Sequence, residues 1–168
     1  MRVSAAQILG QVAFYAAFMA ALGYFATLPA YTYVDPGAAV ITLSFGHAGE
    51  RTSECRRLTP EEIAALPPNM RRPMDCPRGR VSLLVELELD GEILYRALLS
   101  PSGLAGDGAS SAYERFVLAP GRHRMTARLR DSRREEGFDY VLEEDVVLEP
   151  GQHRVIDFRA DMGGFSIL

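Results

Sequence analysis

The chain has 168 residues, 48% of them hydrophobic and 24% charged, with a formal net charge of -4. That is enough for one domain of ordinary size, too short for a multidomain enzyme, and too apolar for a disordered chain. All 18 basic residues are Arg, and the acidic excess gives a pI near 5.4, which argues against nucleic-acid binding.

From Ile8 to Ala30 the chain carries no charge and one amide, Gln11. A helix of this length reaches about 35 Å at roughly 1.5 Å per residue, against a hydrocarbon core of about 30 Å. Leu28-Pro29-Ala30 resembles a signal-peptidase site, but the apolar run exceeds the roughly 7 to 15 residues of a signal-peptide core. It is apolar all round, unlike a soluble core helix. A retained single-pass anchor in the lipid bilayer is expected. Arg2 precedes the span and no basic residue follows it before Arg51, so the amino terminus is expected in the cytoplasm and residues 31–168 outside. Tyr24, Tyr31 and Tyr33 suit an interfacial belt. Ala13, Ala17 and Ala21 recur at four-residue spacing and leave one side of the helix smooth. This suggests packing against a partner membrane protein or self-association, with Gln11 hydrogen-bonding across the contact. The all-Arg composition and the absence of glycosylation sequons point to a bacterial inner membrane and a periplasmic domain.

The expected domains are 1–33, cytoplasmic start and anchor, and 34–168, the exported domain, with an insertion at 50–80. Beyond the anchor, apolar alternation broken by Gly and Pro at about ten-to-fifteen-residue intervals indicates an antiparallel β-sandwich. Strands are predicted from Ala39 to Phe45, Val81 to Glu88, Glu92 to Leu99, Ala112 to Leu118, Arg122 to Arg130, Phe138 to Leu148, His153 to Arg159 and Gly164 to Leu168.

Between the first two strands, Cys55 and Cys76 bracket a short helix and a Pro-rich, Arg-rich loop. Thr59-Pro60-Glu61-Glu62 is a helix start, with Thr59 as N-cap, Pro60 in the first position and Glu62 closing a capping box; the helix ends by Leu66. Residues 69–77 carry too many prolines for regular structure. In an exported chain the two cysteines are expected to form a disulfide, contributing roughly 3 kcal/mol by closing about twenty residues, and to staple an irregular projection suited to recognition. The alternative is copper(I), since Met70, Met74, Cys55 and Cys76 are soft ligands close in sequence.

At the hairpin around Asp90-Gly91, a two-residue loop opposes Val85 with Arg96. A three-residue loop beginning at Leu89 pairs Leu87 with Ile93, Val85 with Tyr95 and Leu83 with Ala97, and is preferred for its apolar face. The segment around Gly103 to Gly108 reads as a connection; its single carboxylate, Asp107, is too few for calcium. On the strand from Arg122, the residues Arg122, Arg124, Arg128 and Arg130 share the outer face and are expected to pair with Asp139, Glu143 and Asp145 on the next strand. The histidines, His47, His123 and His153, do not converge: strand parity puts His123 inward and His153 outward. No nucleophile elbow, phosphate loop, dinucleotide fingerprint or zinc spacing occurs, so no enzyme is expected.

Leu118-Ala119-Pro120-Gly121-Arg122-His123-Arg124 and Leu148-Glu149-Pro150-Gly151-Gln152-His153-Arg154 repeat one pattern: strand end, Pro-Gly type II turn, new strand. This L-x-P-G-x-H-R pattern resembles the closing turns of PEGA-type and carboxypeptidase-regulatory-like, prealbumin-like β-sandwiches. The resemblance implies a non-catalytic envelope module. The expectation is a mainly β, Ig-like or prealbumin-like sandwich behind one transmembrane helix, acting as an accessory, assembly or scaffold subunit of an inner-membrane complex. Periplasmic copper handling and binding of an envelope ligand on the sandwich are the alternatives.

Overall fold

The computed structural model describes residues 4–28 and 32–168; Arg2, Pro29, Ala30 and Tyr31 lie outside them. Contacts divide the chain into Met1–Asp35 and Pro36–Leu168, two residues beyond the expected boundary.

In the first unit, α1 (Ala5–Thr27) has no charged residue, no buried residue and a mean hydropathy of 1.6 over its most apolar window. It is the one helix among the described residues long and apolar enough to cross a membrane. It begins three residues before the apolar run because Ser4 and Gln7 form a capping box: Gln7 N–H donates to Ser4 Oγ at 3.3 Å and Ser4 N–H to Gln7 Oε1 at 2.9 Å. At the other end Leu28 is extended, as a residue before proline is, and its N–H donates to Tyr24 O.

The second unit contains β1 (Ala39–His47), β2 (Arg56–Arg57), α2 (Pro60–Ala65), β3 (Met74–Asp75), β4 (Leu83–Leu89), β5 (Glu92–Leu99), β6 (Ser110–Leu118), β7 (Gly121–Arg130), β8 (Tyr140–Leu148), β9 (His153–Arg159) and β10 (Gly164–Ile167). The eight long strands are those expected. They form two sheets, ordered β10-β9-β1-β6 and β5-β4-β7-β8, arranged as a sandwich. Ile41, Leu43 and Phe45 of β1, Leu83, Val85 and Leu87 of β4, Met125 and Leu129 of β7, and Ile156 and Phe158 of β9 share one buried core. Each such large side chain contributes roughly 1.5–3 kcal/mol on leaving water.

The purely antiparallel expectation is corrected at one pair: β1 and β9 run parallel, with Val40 opposite His153 and Leu43 opposite Ile156. Both strands start at the same end of the sandwich, because the β8–β9 turn carries the chain from one sheet to the other.

The Asp90-Gly91 hairpin is also corrected. Leu89 pairs with Glu92, so the loop has two residues, Asp90 at φ 53° and Gly91 at φ 88°, close to a type I′ turn. The register shifts at Leu94, which has no partner; beyond it Leu87 pairs with Tyr95 and Val85 with Ala97. A bulge thus restores the apolar face that the longer loop was invoked to supply. Of the two Pro-Gly turns, the second fits type II, with Gly151 at φ 73° and Gln152 N–H donating to Glu149 O, whereas Gly121 at φ 146° already belongs to β7.

The connections sort by length. The three at one end, 90–91, 119–120 and 149–152, are tight turns, and the chain enters there at residues 36–38. Those at the other end, 48–82, 100–109, 131–139 and 160–163, include every long one. A cluster of rings floors the long-loop end of the core, with Phe158 4.9 Å from Tyr140, 5.0 Å from Phe165 and 5.8 Å from Phe45.

Candidate functional site

The 50–80 insertion is an ordered two-stranded arm, in place of the irregular loop expected. One antiparallel register runs along it: Val81 N–H donates to Glu50 O, Arg51 bridges Arg80, Thr52 N–H donates to Gly79 O, Cys55 is bonded to Cys76, Arg56 and Arg57 pair with Asp75 and Met74, and Leu58 N–H donates to Pro73 O. Pro73 and Pro77 fall on hydrogen-bonding rungs and leave them incomplete: Leu58 N–H donates to Pro73 O, but proline has no N–H to return. The disulfide forms, as expected, between residues 21 apart. At the tip, Thr59 and Glu62 make the expected capping box on α2, and Glu62 also takes Arg56 at 2.8 Å. Hydrogen bonds from the Thr59 N–H and the Arg56 side chain hold the Glu62 carboxyl below its usual range.

Two loops brace the base. Glu50 N–H donates to Asp131 O at 2.7 Å, and Arg133 donates to the Glu50 carboxylate from its backbone at 3.0 Å and its guanidinium at 3.2 Å. That guanidinium, then the backbone N–H, lower the Glu50 pKa. On the other side Arg80 N–H donates to Gly106 O, and Arg78 meets Asp107 at 2.6 Å. The 131–139 loop is itself pinned by Asp139, which accepts from the N–H groups of Asp131 and Ser132 and meets Arg134 at 3.0 Å. Burial pushes the Asp139 carboxyl up, but its hydrogen bonds from the 131–132 segment and the Arg134 charge outweigh it and leave its pKa lowered. Where the arm leaves the sandwich, a Cβ on Gly49 would lie 2.5 Å from Val81 O, so the crossing requires glycine.

Between the arm and the 131–139 loop is a cleft of about 340 Å³, lined by Glu50, Arg51, Ser53, Glu54, Cys55, Arg80 and Arg133. Neither composition nor spacing points to it, because its walls come from three separate stretches, residues 50–55, 80 and 133.

Of the copper set, the Cys55 and Cys76 sulfurs are bonded to each other, and the Met70 and Met74 side chains are exposed on the arm. Among the described residues no three His, Cys, Asp or Glu side chains converge as a metal site. The histidines lie apart, His47 2.7 Å from Asp131, His123 2.7 Å from Asp90 and His153 2.7 Å from Thr42 Oγ1. His123 is half-buried on the inward side and His153 exposed on the outer face, as expected. The arginine ladder is corrected. Arg124 meets Glu143 at 3.2 Å, but Arg128 turns the other way, to Glu86 at 2.6 Å and Glu88 at 2.7 Å on β4, and Arg130 donates to the backbone of Glu135. The cause is register: β7 is a central strand, and β4 sets Glu86 directly opposite Arg128.

On α1, Ala13, Ala17 and Ala21 are exposed, as the other described residues of the helix are; Gln11 lies about 160° round the helix from Ala13, about 120° from Ala17 and about 80° from Ala21 at 3.6 residues per turn.

No family model, curated protein or solved structure matches the chain.

Proposed function

We propose that this protein is a membrane-tethered, non-catalytic accessory or assembly subunit: α1 holds it in a bacterial inner membrane with its amino terminus in the cytoplasm, and the periplasmic sandwich offers the arm and its bracing loops to a partner membrane protein. The observation that carries this is the combination of an uncharged 23-residue helix with a disulfide in the folded unit. The first fits a bilayer and the second persists in an oxidising compartment. A staple, a ladder and two bracing loops leave the arm little entropy to lose on docking, which favours recognition. Each histidine is committed to its own partner, which favours a non-catalytic role.

Strand order differs from one of the two sandwich types expected. Counting the eight long strands in chain order, the first lies between the seventh and the fourth, whereas an immunoglobulin sandwich sets its first beside its second. The prealbumin-like reading is preferred.

The test is fractionation of cells expressing the full chain. The expected result is a protein that resists alkaline carbonate, retains its amino-terminal residues, has no titratable thiol before reduction and is degraded by protease added to spheroplasts. A mature form starting near Tyr31 that washes off the membrane, or a carboxyl half protected in spheroplasts, overturns the anchor and its orientation. Two free thiols that bind copper(I) would favour the copper reading through Cys55, Cys76, Met70 and Met74.

A further inference from the structure

Arg51 and Arg80 face each other directly in the antiparallel bridge at the base of the arm, and both line the cleft. Like charges directly opposite across a ribbon repel, and such pairs are ordinarily flanked by acids. Here neither guanidinium has a carboxylate partner among the described residues. Arg51 donates to Pro77 O at 2.5 Å and Arg80 to Gly49 O at 3.1 Å, both neutral carbonyls. The two carboxylates of the cleft are directed to a different cation, Glu50 to Arg133 at 3.2 Å and Glu54 to Arg133 at 3.8 Å. Arg80 Nε is buried without any partner, and a buried donor left unpaired costs about 1–3 kcal/mol. Two uncompensated guanidiniums on one rung, a buried orphan donor and an open cleft coincide at one place.

We propose that this cleft is a binding site for an oxyanion, a carboxylate or phosphate group, received between the Arg51 and Arg80 guanidiniums. Planar guanidinium forks match both groups with paired N–H donors. The anion cancels the repulsion across the rung, so its binding stabilises the base of the arm. Glu50 and Glu54 line the rim and disfavour ligands with several negative charges, which points to a single anionic group. The site depends only on the folded 36–168 unit and stands whether or not the membrane reading does.

The test uses the full chain in detergent, with inorganic phosphate and acetate as probes and chloride at matched ionic strength as the reference. Phosphate, acetate or both should raise the unfolding temperature saturably and shift the side-chain Nε–Hε resonances of Arg51 and Arg80. Arg51→Gln and Arg80→Gln should each remove the saturable rise, while Arg122→Gln, on the outer face of β7, leaves it intact. A response to phosphate alone identifies a phosphate source, and one to acetate alone a carboxylate source. The proposal is overturned if chloride reproduces the effect, if neither probe shifts the two resonances, or if Arg51→Gln retains the full rise. Should a Gln variant not fold, the resonance shifts in the unsubstituted chain decide alone.

Discussion

Glu86 is a charged residue only 7% exposed, in the middle of β4. It is tolerable there because Arg128 on β7 meets it at 2.6 Å and Arg96 on β5 at 3.5 Å, with Glu88 accepting from the same Arg128 Nη1 at 2.7 Å. Removing one member of a desolvated set is costlier than removing the set. Arg128→Met should therefore destabilise the domain by about 2–4 kcal/mol in denaturant titration, and Glu86→Gln in the same chain should restore part of the loss; equal or additive losses would dismiss the coupling. A second pair sits at the tight-turn end, where His123 lies between the Asp90 carboxylate at 2.7 Å and Ala119 O at 3.0 Å. Two acceptors favour the imidazolium. The Asp90 hydrogen bond first, with the Ala119 carbonyl, raises the His123 pKa against the effect of burial, while His123 and the Arg124 N–H lower that of Asp90. A raised histidine contributes fully below its unfolded value, about 6.5, and loses that contribution as pH climbs through the folded value. A lowered aspartate contributes above about 3.9 and loses it as pH falls through its folded value. The pair is thus strongest between about pH 4 and 6.5. Thermal stability should fall from pH 6 to 9 more in the unsubstituted chain than in His123→Gln, and identical slopes would remove His123 from the account.

At the level of strands and helices, alternation and the Gly and Pro breaks suffice to place all eight long strands, although β1 is buried on both faces from Ala39 to Leu43 and β5 is nowhere fully buried. What alternation does not carry is who sits beside whom. The parallel β1–β9 pair, the bulge at Leu94 and the turning of Arg128 toward β4 all depend on a neighbour distant in sequence. The Ser4–Gln7 capping box stands just ahead of the apolar run, and the arm's register is masked in sequence by prolines that interrupt its ladder. The free edges show another device. Glu114 on β6 pairs with buried Leu43, and Glu144 on β8 with buried Met125, so each edge strand has an acid on its inward-facing side. β5 carries the bulge and β10 is four residues long. Charges, bulges and short strands at edges block the addition of another strand, which is one reason to assign partner contact to the arm. Replacing both Glu114 and Glu144 by Val should produce concentration-dependent self-association in sedimentation, and Glu143→Val, on the outward face, should not. If the double variant stays monomeric, edge protection resides elsewhere.

For the molecule as a whole, the sorting of tight turns to one end and long loops to the other sets the arm and its bracing loops at the end away from the tight turns. The strands β1, β4 and β7, like β9, have partners on both sides, so their amides should be the slowest to exchange with solvent and should report global unfolding. The arm is joined to this core only through its base. Reducing Cys55–Cys76, or replacing both by Ser, should speed exchange across 50–80 while leaving β1, β4 and β7 protected; loss of protection in all three would mean that the staple supports the sandwich itself. The single register shared by the rungs from Glu50–Val81 out to Leu58–Pro73 also makes the arm a ruler. Its pleat repeats every two residues at about 3.3 Å each, so inserting two residues into each leg moves α2 outward by roughly 7 Å with the same side presented. One residue in each leg turns the tip to present its opposite side at about half that reach. Distance to a docking partner and the side shown to it can therefore be varied separately.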